Sequence, residues 1–429
     1  MVETPVVNRP DRPEPVGQVA EPPEPAAAGS VDPLIDSGRA WIAAVAVAAA
    51  NGVGFGIAYS FGTFFDSMAA EFEADRGATA LIFGVTLLFF FGFGIVSGPI
   101  SDRVGPRPLL IAGAVTMVVG LLITSRAGSL PVAIVAYGIG VGIGGGLYIA
   151  PLSASVGALF DRRRPAAFSV MAVGNGLAVL IIVPLAEAVI AANDWRRAYV
   201  VLAVVAGVIF VAALPAVVMP SRSGDDGRPA EPAPVVGAMT LFRTAGFGAR
   251  FFVGLLMSVG LFIAFGFIQT FAIDDGVSVS TAARLVSLVG LSSIVGRVGL
   301  TALVRPLGAI TVVRLALAVQ TVAYLIWYVA GGSLPLLVTF VVLFGSAYGG
   351  FVAVVPEAGI RLVGLVGLGK SMGLLFLSFG VGGLIGPPLA GWLADVTTGN
   401  DIPILLTVGL LAAATLTSAL IRSPELSAD

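Results

Sequence analysis

Residues 101–114, SDRVGPRPLLIAGA, and residues 303–316, LVRPLGAITVVRLA, share one build: a basic turn containing Gly and Pro, then a long apolar run. A second pair repeats the correspondence, RAGSLP at 126–131 and GGSLP at 331–335. Counting apolar runs from Trp41, the first pair follows runs 2 and 8 and the second follows runs 3 and 9. Matching turns at matching places in two halves indicate an internal duplication of a six-run unit.

The solvent of those runs follows from composition. The 429 residues are 57% hydrophobic and 11% charged, with mean hydropathy +1.01. Soluble domains carry about 25% charged residues, so lipid has to cover most of this apolar surface. Eleven polar breaks leave about twelve runs of about 20 residues. Uninterrupted apolar runs of that length are helices in lipid, and alternation that would mark barrel strands is missing. The expected fold is all-α and membrane-integral, with twelve transmembrane helices in two pseudo-symmetric six-helix bundles.

The expected organisation is a Pro-, Glu- and Ala-rich disordered tail (1–38), a first bundle (39–219), a central polar loop (220–246), a second bundle (247–422) and a short tail (423–429). Tail 1–38 lacks the basic start and apolar core of a signal peptide. With the N-terminus inside, Arg103, Arg107, Arg162 to Arg164, Arg305, Arg314, Arg361 and Lys370 fall inside, against Arg76, Arg126, Arg196, Arg197 and Arg284 outside. That excess predicts both termini in the cytoplasm and residence in the plasma (inner) membrane.

The chain contains no Cys and no His. Disulfides, thiol chemistry and the common zinc and haem sites are therefore excluded, and no cofactor or metal is expected. No dense carboxylate cluster in the spans suggests an enzyme. The basic residues are scattered, so nucleic acid is not an expected partner.

The loop GPISDRVGPR, 98–107, resembles the loop between spans 2 and 3 of the major facilitator superfamily, through Gly98, Asp102, Arg103, Gly105 and Arg107; Pro106 replaces the first of the two final basic residues. The resemblance implies that superfamily's fold and a conformational latch here. Gly98 would let helices approach, and Asp102 and Arg103 would pair across helix ends.

The sequence YGIGVGIGGGLYIAP (137–151), the FDRRRPAAFS loop (160–169) and DWRRAYVVLA (194–203) resemble spans 4 to 6 of the monocarboxylate transporter family. Residues 51–65, NGVGFGIAYSFGTFF, resemble its first span, and GKSMGLLFLSFGVGGLIGPPLAGWLADVTTGN, 369–400, its eleventh. Oxalate:formate antiporters share much of the pattern. Gly138, Gly142 and Gly146 are expected to pack helices, whereas Tyr148 suits packing and an anion site equally.

Arg297, inside the eighth run in VGLSSIVGRVGL (289–300), lies about 12 Å from the level of Arg305 along a helix. It either snorkels to the headgroups or faces a polar cavity. The resemblance places the family's carboxylate-binding arginine here, and a planar guanidinium matches a carboxylate bidentately. Two departures stand out: Ser293 holds the place where many family members carry Asp, and Tyr59 the place of a Lys. Antiporters of the oxalate type carry a mid-span Lys in the eleventh span; here Lys370 starts that run, so the resemblance implies that a second clamp for a dicarboxylate is missing and favours a monocarboxylate.

The candidate substrate-binding residues are thus Arg297, Tyr348, Tyr148, Ser293, Asn51, Tyr59 and Asn175. Asp274, Asp275, Glu187 and Glu357 are the candidates for carrying a proton. The expected protein is a monomeric secondary transporter moving a small monocarboxylate with protons. Organic-anion exchange is the alternative, and export of hydrophobic compounds ranks last.

Overall fold

The computed structural model describes residues 33–218, 247–363 and 368–420; the side chains of Asp102, Pro165 and 355–373 also lie outside the description. Among the described residues, twelve helices are long and apolar enough to cross a membrane. They are spans 1 (Gly38–Glu71), 2 (Arg76–Ser101), 3 (Pro106–Thr124), 4 (Leu130–Leu159), 5 (Ala166–Ala192) and 6 (Trp195–Ala216), then 7 (Phe247–Asp274), 8 (Val279–Leu307), 9 (Ala309–Tyr328), 10 (Leu334–Val354), 11 (Leu374–Thr397) and 12 (Asp401–Leu420). The fold is all-α, two six-helix bundles side by side.

The repeated turns have repeated conformations. Gly105 adopts φ +81° and Gly308 φ +79°. Each closes the helix before it, Gly105 N–H to Ser101 O at 2.8 Å and Gly308 N–H to Val304 O at 2.9 Å. A left-handed residue between two helices favours glycine, which carries no Cβ to clash. The two Ser-Leu-Pro triplets likewise start spans 4 and 10, with Ser129 O and Ser333 O accepting the first helical bonds. Proline is tolerated there because the first-turn N–H has no helical partner.

Small residues set the packing within a half. The Cβ that Gly138, Gly142 or Gly146 lacks would meet Val85, Thr86 O or Phe89 O of span 2 at 2.9 Å or less, so span 4 lies directly on span 2. Gly98 departs from expectation: among the described residues no atom lies within 4 Å of its absent Cβ, so it mediates no close approach. Arg107 also works within one half, donating to the carbonyls of Val217 and, at 3.2 Å, Pro215 at the end of span 6. The Asp102 side chain, and with it the expected pairing with Arg103, lies outside the described residues.

Between the halves, span 2 packs on span 11 and span 5 on span 8. Spans 5 and 8 meet backbone to backbone. A Cβ on Gly290 would sit 2.8 Å from Gly176 O, and one on Gly176 would sit 2.9 Å from Gly290 O. Span 10 presses on span 8 in the same way, through Gly345, Gly349 and, from span 8, Gly296. These seams hold span 8 close to two neighbours and leave a gap where the three helices diverge.

Candidate functional site

That gap is a cavity between the halves, with about 250 Å³ of non-atom space once open solvent is included. Its wall comes from span 1 (Phe55, Tyr59), span 5 (Asn175, Gly176, Val179), span 7 (Phe265), span 8 (Val289, Gly290, Ser293, Arg297) and span 10 (Tyr348).

Arg297 reaches it for a geometric reason. Helical side chains lean toward the N-terminus, so its stem lies back over Ser293 and Gly290, into the gap. The residue is only 8% exposed. Snorkelling is therefore not what it does: the guanidinium is enclosed by protein. Among the described residues it makes no ion pair, and its buried Nε has no hydrogen-bond partner. The Tyr59 hydroxyl lies within electrostatic range of Tyr348 and of Arg297. Ser293 donates to Gly290 O at 2.7 Å, leaving its oxygen free to accept. The buried Asn175 Oδ1 has no partner.

The rest of the wall is apolar and aromatic. Phe265 stands between Tyr59 (centroids 4.3 Å) and Tyr348 (5.6 Å, edge-on), and Phe55 meets Tyr59 edge-on at 5.6 Å. One cation, two phenols, a hydroxyl and an amide inside such a wall can hold one carboxylate head and a short organic body.

Of the seven expected binding residues, five come together here: Arg297, Tyr348, Ser293, Tyr59 and Asn175. Tyr148 and Asn51 do not. Gly54 and Gly113 leave the space that the Tyr148 ring fills; their absent Cβ atoms would lie 2.0 Å from its hydroxyl and 2.7 Å from Cδ1. The phenol thus points into span 1, with Phe210 against its ring, and packing is its role in this structure. Asn51 reaches across to Ser153 Oγ at 3.5 Å, bridging spans 1 and 4. Phe55, Phe265, Val179 and Val289 were not anticipated from the sequence; in a membrane chain an apolar residue facing a cavity looks like one facing lipid.

Of the candidate acids, Asp274, Asp275 and Glu187 are not part of the cavity wall and lie toward the bundle end opposite Gly38 and Leu420. Asp274 is paired with Arg76 in a two-armed contact, Oδ2 at 2.8 Å and Oδ1 at 3.1 Å. Asn400 donates to the same carboxylate at 3.3 Å, and Asp395 accepts the Arg76 and Gly77 backbone N–H groups at 2.9 and 3.2 Å. These bonds tie span 2 of the first half to spans 7, 11 and 12 of the second and shut that end. Below them Thr270 donates to Asp66 at 3.2 Å. Gln269, from span 7, accepts from Thr63 at 2.9 Å and reaches Glu187 at 3.5 Å. Asp275 lies outside the spans, and burial, then Asp274 and Asp401, raise its pKa above the ordinary carboxylate value. The Glu357 side chain lies outside the described residues. Nothing in the sequence marked this network, because partners such as Thr63 and Gln269 are 206 residues apart.

Comparison with known proteins bears on the fold and the family. Human monocarboxylate transporter 11 is 26% identical over 92% of this chain and 84% of its own. Monocarboxylate transporter 13 of Bos taurus is 28% identical over 87% of both chains, and rat monocarboxylate transporter 3 is 29% identical over 86% of this chain and 76% of its own. Among solved structures, an inward-facing bacterial homologue of the human lysosomal transporter Spinster superposes with TM-score 0.72 at 15% identity, covering 90% of this chain and 99% of that one. A nucleoside transporter does so at 0.71 and 11% identity, over 90% of this chain and all of the other. Residues 41–367 match the family model described as Major Facilitator Superfamily. The chain is a membrane transporter and not an enzyme: it belongs to the Major Facilitator Superfamily and, within it, resembles the monocarboxylate transporters.

Proposed function

We propose that this transporter moves a small organic monocarboxylate across the plasma (inner) membrane by alternating access, with a proton carried alongside. The observation that supports this best is Arg297: a guanidinium 8% exposed, facing the inter-half cavity and without an ion-pair partner among the described residues. A buried charge in a span costs about 2.5–3.5 kcal/mol on insertion scales. A carboxylate entering the cavity supplies the missing counter-charge and takes the fork bidentately. The phenols of Tyr59 and Tyr348 orient it, and the aromatic wall covers its body.

Alternation follows from the two-sided construction. The far end, closed by Arg76 and Asp274, faces outward when both termini are cytoplasmic; releasing that pair would open the cavity to the outside. The free cavity is small, so loading goes with parting of the halves. Organic-anion exchange is the second reading, favoured by the absence of any acid from the cavity wall among the described residues. The test is uptake of radiolabelled propanoate into proteoliposomes, with and without an inwardly directed proton gradient. Arg297→Ala and Arg297→Lys should abolish uptake at normal expression; full uptake by either refutes the assignment. Uptake that needs internal anion and ignores the gradient would establish exchange.

A further inference from the structure

We infer that Glu187 is a proton-binding site in the closure at the far end, and that taking up a proton there is what lets the two halves shut above the cavity. The inference deepens the proton coupling proposed above by naming a residue for it, and it rests on that reading. Three side chains form this layer of the closure. The Gln269 amide, 3% exposed, accepts from Thr63 at 2.9 Å and reaches Glu187 at 3.5 Å. Thr63 and Glu187 belong to spans 1 and 5 of the first half, and Gln269 to span 7 of the second. Tyr59 and Phe265, both in the cavity wall, lie four residues before Thr63 and Gln269. The trio therefore sits one helical turn beyond the cavity, on the same helix faces. A Cβ on Gly62 would stand 2.9 Å from Phe265 O, so spans 1 and 7 meet there backbone to backbone.

In the closed arrangement Glu187 is half-buried, and what receives it is one amide N–H at long range. No cation pairs with it among the described residues. Span 5 packs on spans 1, 4, 6 and 8, and the charged groups those helices carry at this end are otherwise placed. On span 1, Glu71 pairs with Arg196 of span 6, and Asp66 is exposed and within electrostatic range of Arg76. Arg197 bonds Asn193, and Arg284 of span 8 is exposed. The phenols of Tyr137 (span 4) and Tyr199 (span 6) donate to Ile57 O and Met68 Sδ. From span 7, Asp274 is held by Arg76. An ionised carboxylate offers about four lone-pair sites to water. Taken out of water without a cation, it loses more than one long hydrogen bond returns. The neutral acid avoids that loss. With the Gln269 amide turned over, the acid's O–H donates to Oε1 and the amide N–H goes to Thr63 Oγ, which accepts as well as donates. Closure therefore costs less with the proton on, and protons favour the closed form.

The experiment measures the distance across the far end between spin labels at Ser129→Cys and Gly399→Cys in proteoliposomes, without substrate, at about pH 5 and about pH 8. With Glu187 intact, the ratio of closed to open populations should be at least about threefold higher at the acid value. In Glu187→Gln, a neutral mimic of the protonated acid, and in Glu187→Leu, the two ratios should agree to within about 1.5-fold. Asp66→Asn should keep the full response. The sign is itself diagnostic, because acid weakening of the Arg76–Asp274 pair would open this end instead of closing it. A ratio that stays constant or falls at the acid value with Glu187 intact overturns the inference. So does a response that survives both Glu187 substitutions, or one that Asp66→Asn abolishes. The readout needs neither propanoate nor a gradient, so its failure is distinct from that of the symport reading, which falls when an inward proton gradient leaves uptake unchanged.

Discussion

Replacing Gly296 by alanine tests the link between packing and site most directly. Its added Cβ would stand 1.9 Å from Ser346 O and 2.4 Å from that residue's Cα and carbonyl carbon, all backbone atoms of span 10. Ordinary contact begins at 3.4 Å, so spans 8 and 10 must part locally by about 1.5 Å. Arg297 is the next residue on span 8, and Tyr348 lies two residues beyond Ser346 on span 10, so the separation falls inside the binding site. Overpacking of this kind costs about 1–3 kcal/mol of stability, and a misplacement of about 1 Å can cost 100-fold in a positioned reaction step. Propanoate uptake by Gly296→Ala should fall at least tenfold, with a lower midpoint of thermal unfolding in detergent. Gly299→Ala is the control: it lies three residues on, with no atom within 4 Å of its absent Cβ, and should keep wild-type uptake and stability. Wild-type uptake and unfolding in Gly296→Ala would refute the claim that the span 8 to span 10 seam positions the arginine.

Three further outcomes are expected from the geometry. Arg76→Ala removes a pair whose side chains are 30% and 34% exposed, so stability should change by less than about 1 kcal/mol; the far end should nevertheless open, read as a lengthened distance between spin labels at Ser129→Cys and Gly399→Cys in this cysteine-free chain. Tyr148→Phe should leave the half-saturation constant for propanoate unchanged, since its hydroxyl packs over Gly54, whereas Tyr348→Phe should raise it severalfold. For Asp275, whose pKa is raised in the fold, ionisation is disfavoured; the penalty is absent below the unfolded value near about 4 and complete above the folded one. Asp275→Asn should therefore unfold with wild type at the acid end of a pH series and at a slightly higher temperature at pH 7, and a lower one would refute the sign.

The fold was legible because lipid makes sequence explicit. Apolar runs of spanning length cannot be anything but helices, and two turns with the same Gly placement reported the duplication that Gly105 and Gly308 carry out in their φ angles. Arg297 was legible for a related reason, being a charge that no lipid-facing position would carry. Tyr148 was not: small-residue runs announce close packing but not which neighbour supplies the gap, and the gap came from Gly54 and Gly113. The polar ties across the far end were invisible, since each member alone looks like a loop or interfacial residue until the halves meet.

Span 8 explains why the arginine stays where it is. At about 100° per residue, Gly290 marks the direction of span 5, while Val289 and Gly296 lie about 100° and 120° round from it and mark that of span 10. Ser293 and Arg297 fall between, at about 60° and 20°, facing the gap, and Gly299 lies opposite Gly290 and exposed. Two seams of backbone contact therefore fix the rotation of the helix, and the rotation fixes the charge. Turning by one residue, about 100°, would carry Arg297 toward the span 10 seam one way or toward lipid the other, and would at the same time drive side chains into a seam that admits only glycine. The preference of a guanidinium for headgroups, worth about 2.5–3.5 kcal/mol, is thus opposed by steric contacts that have no intermediate setting. Among the described residues no acid pairs with the arginine, and the two seams hold it in place without one.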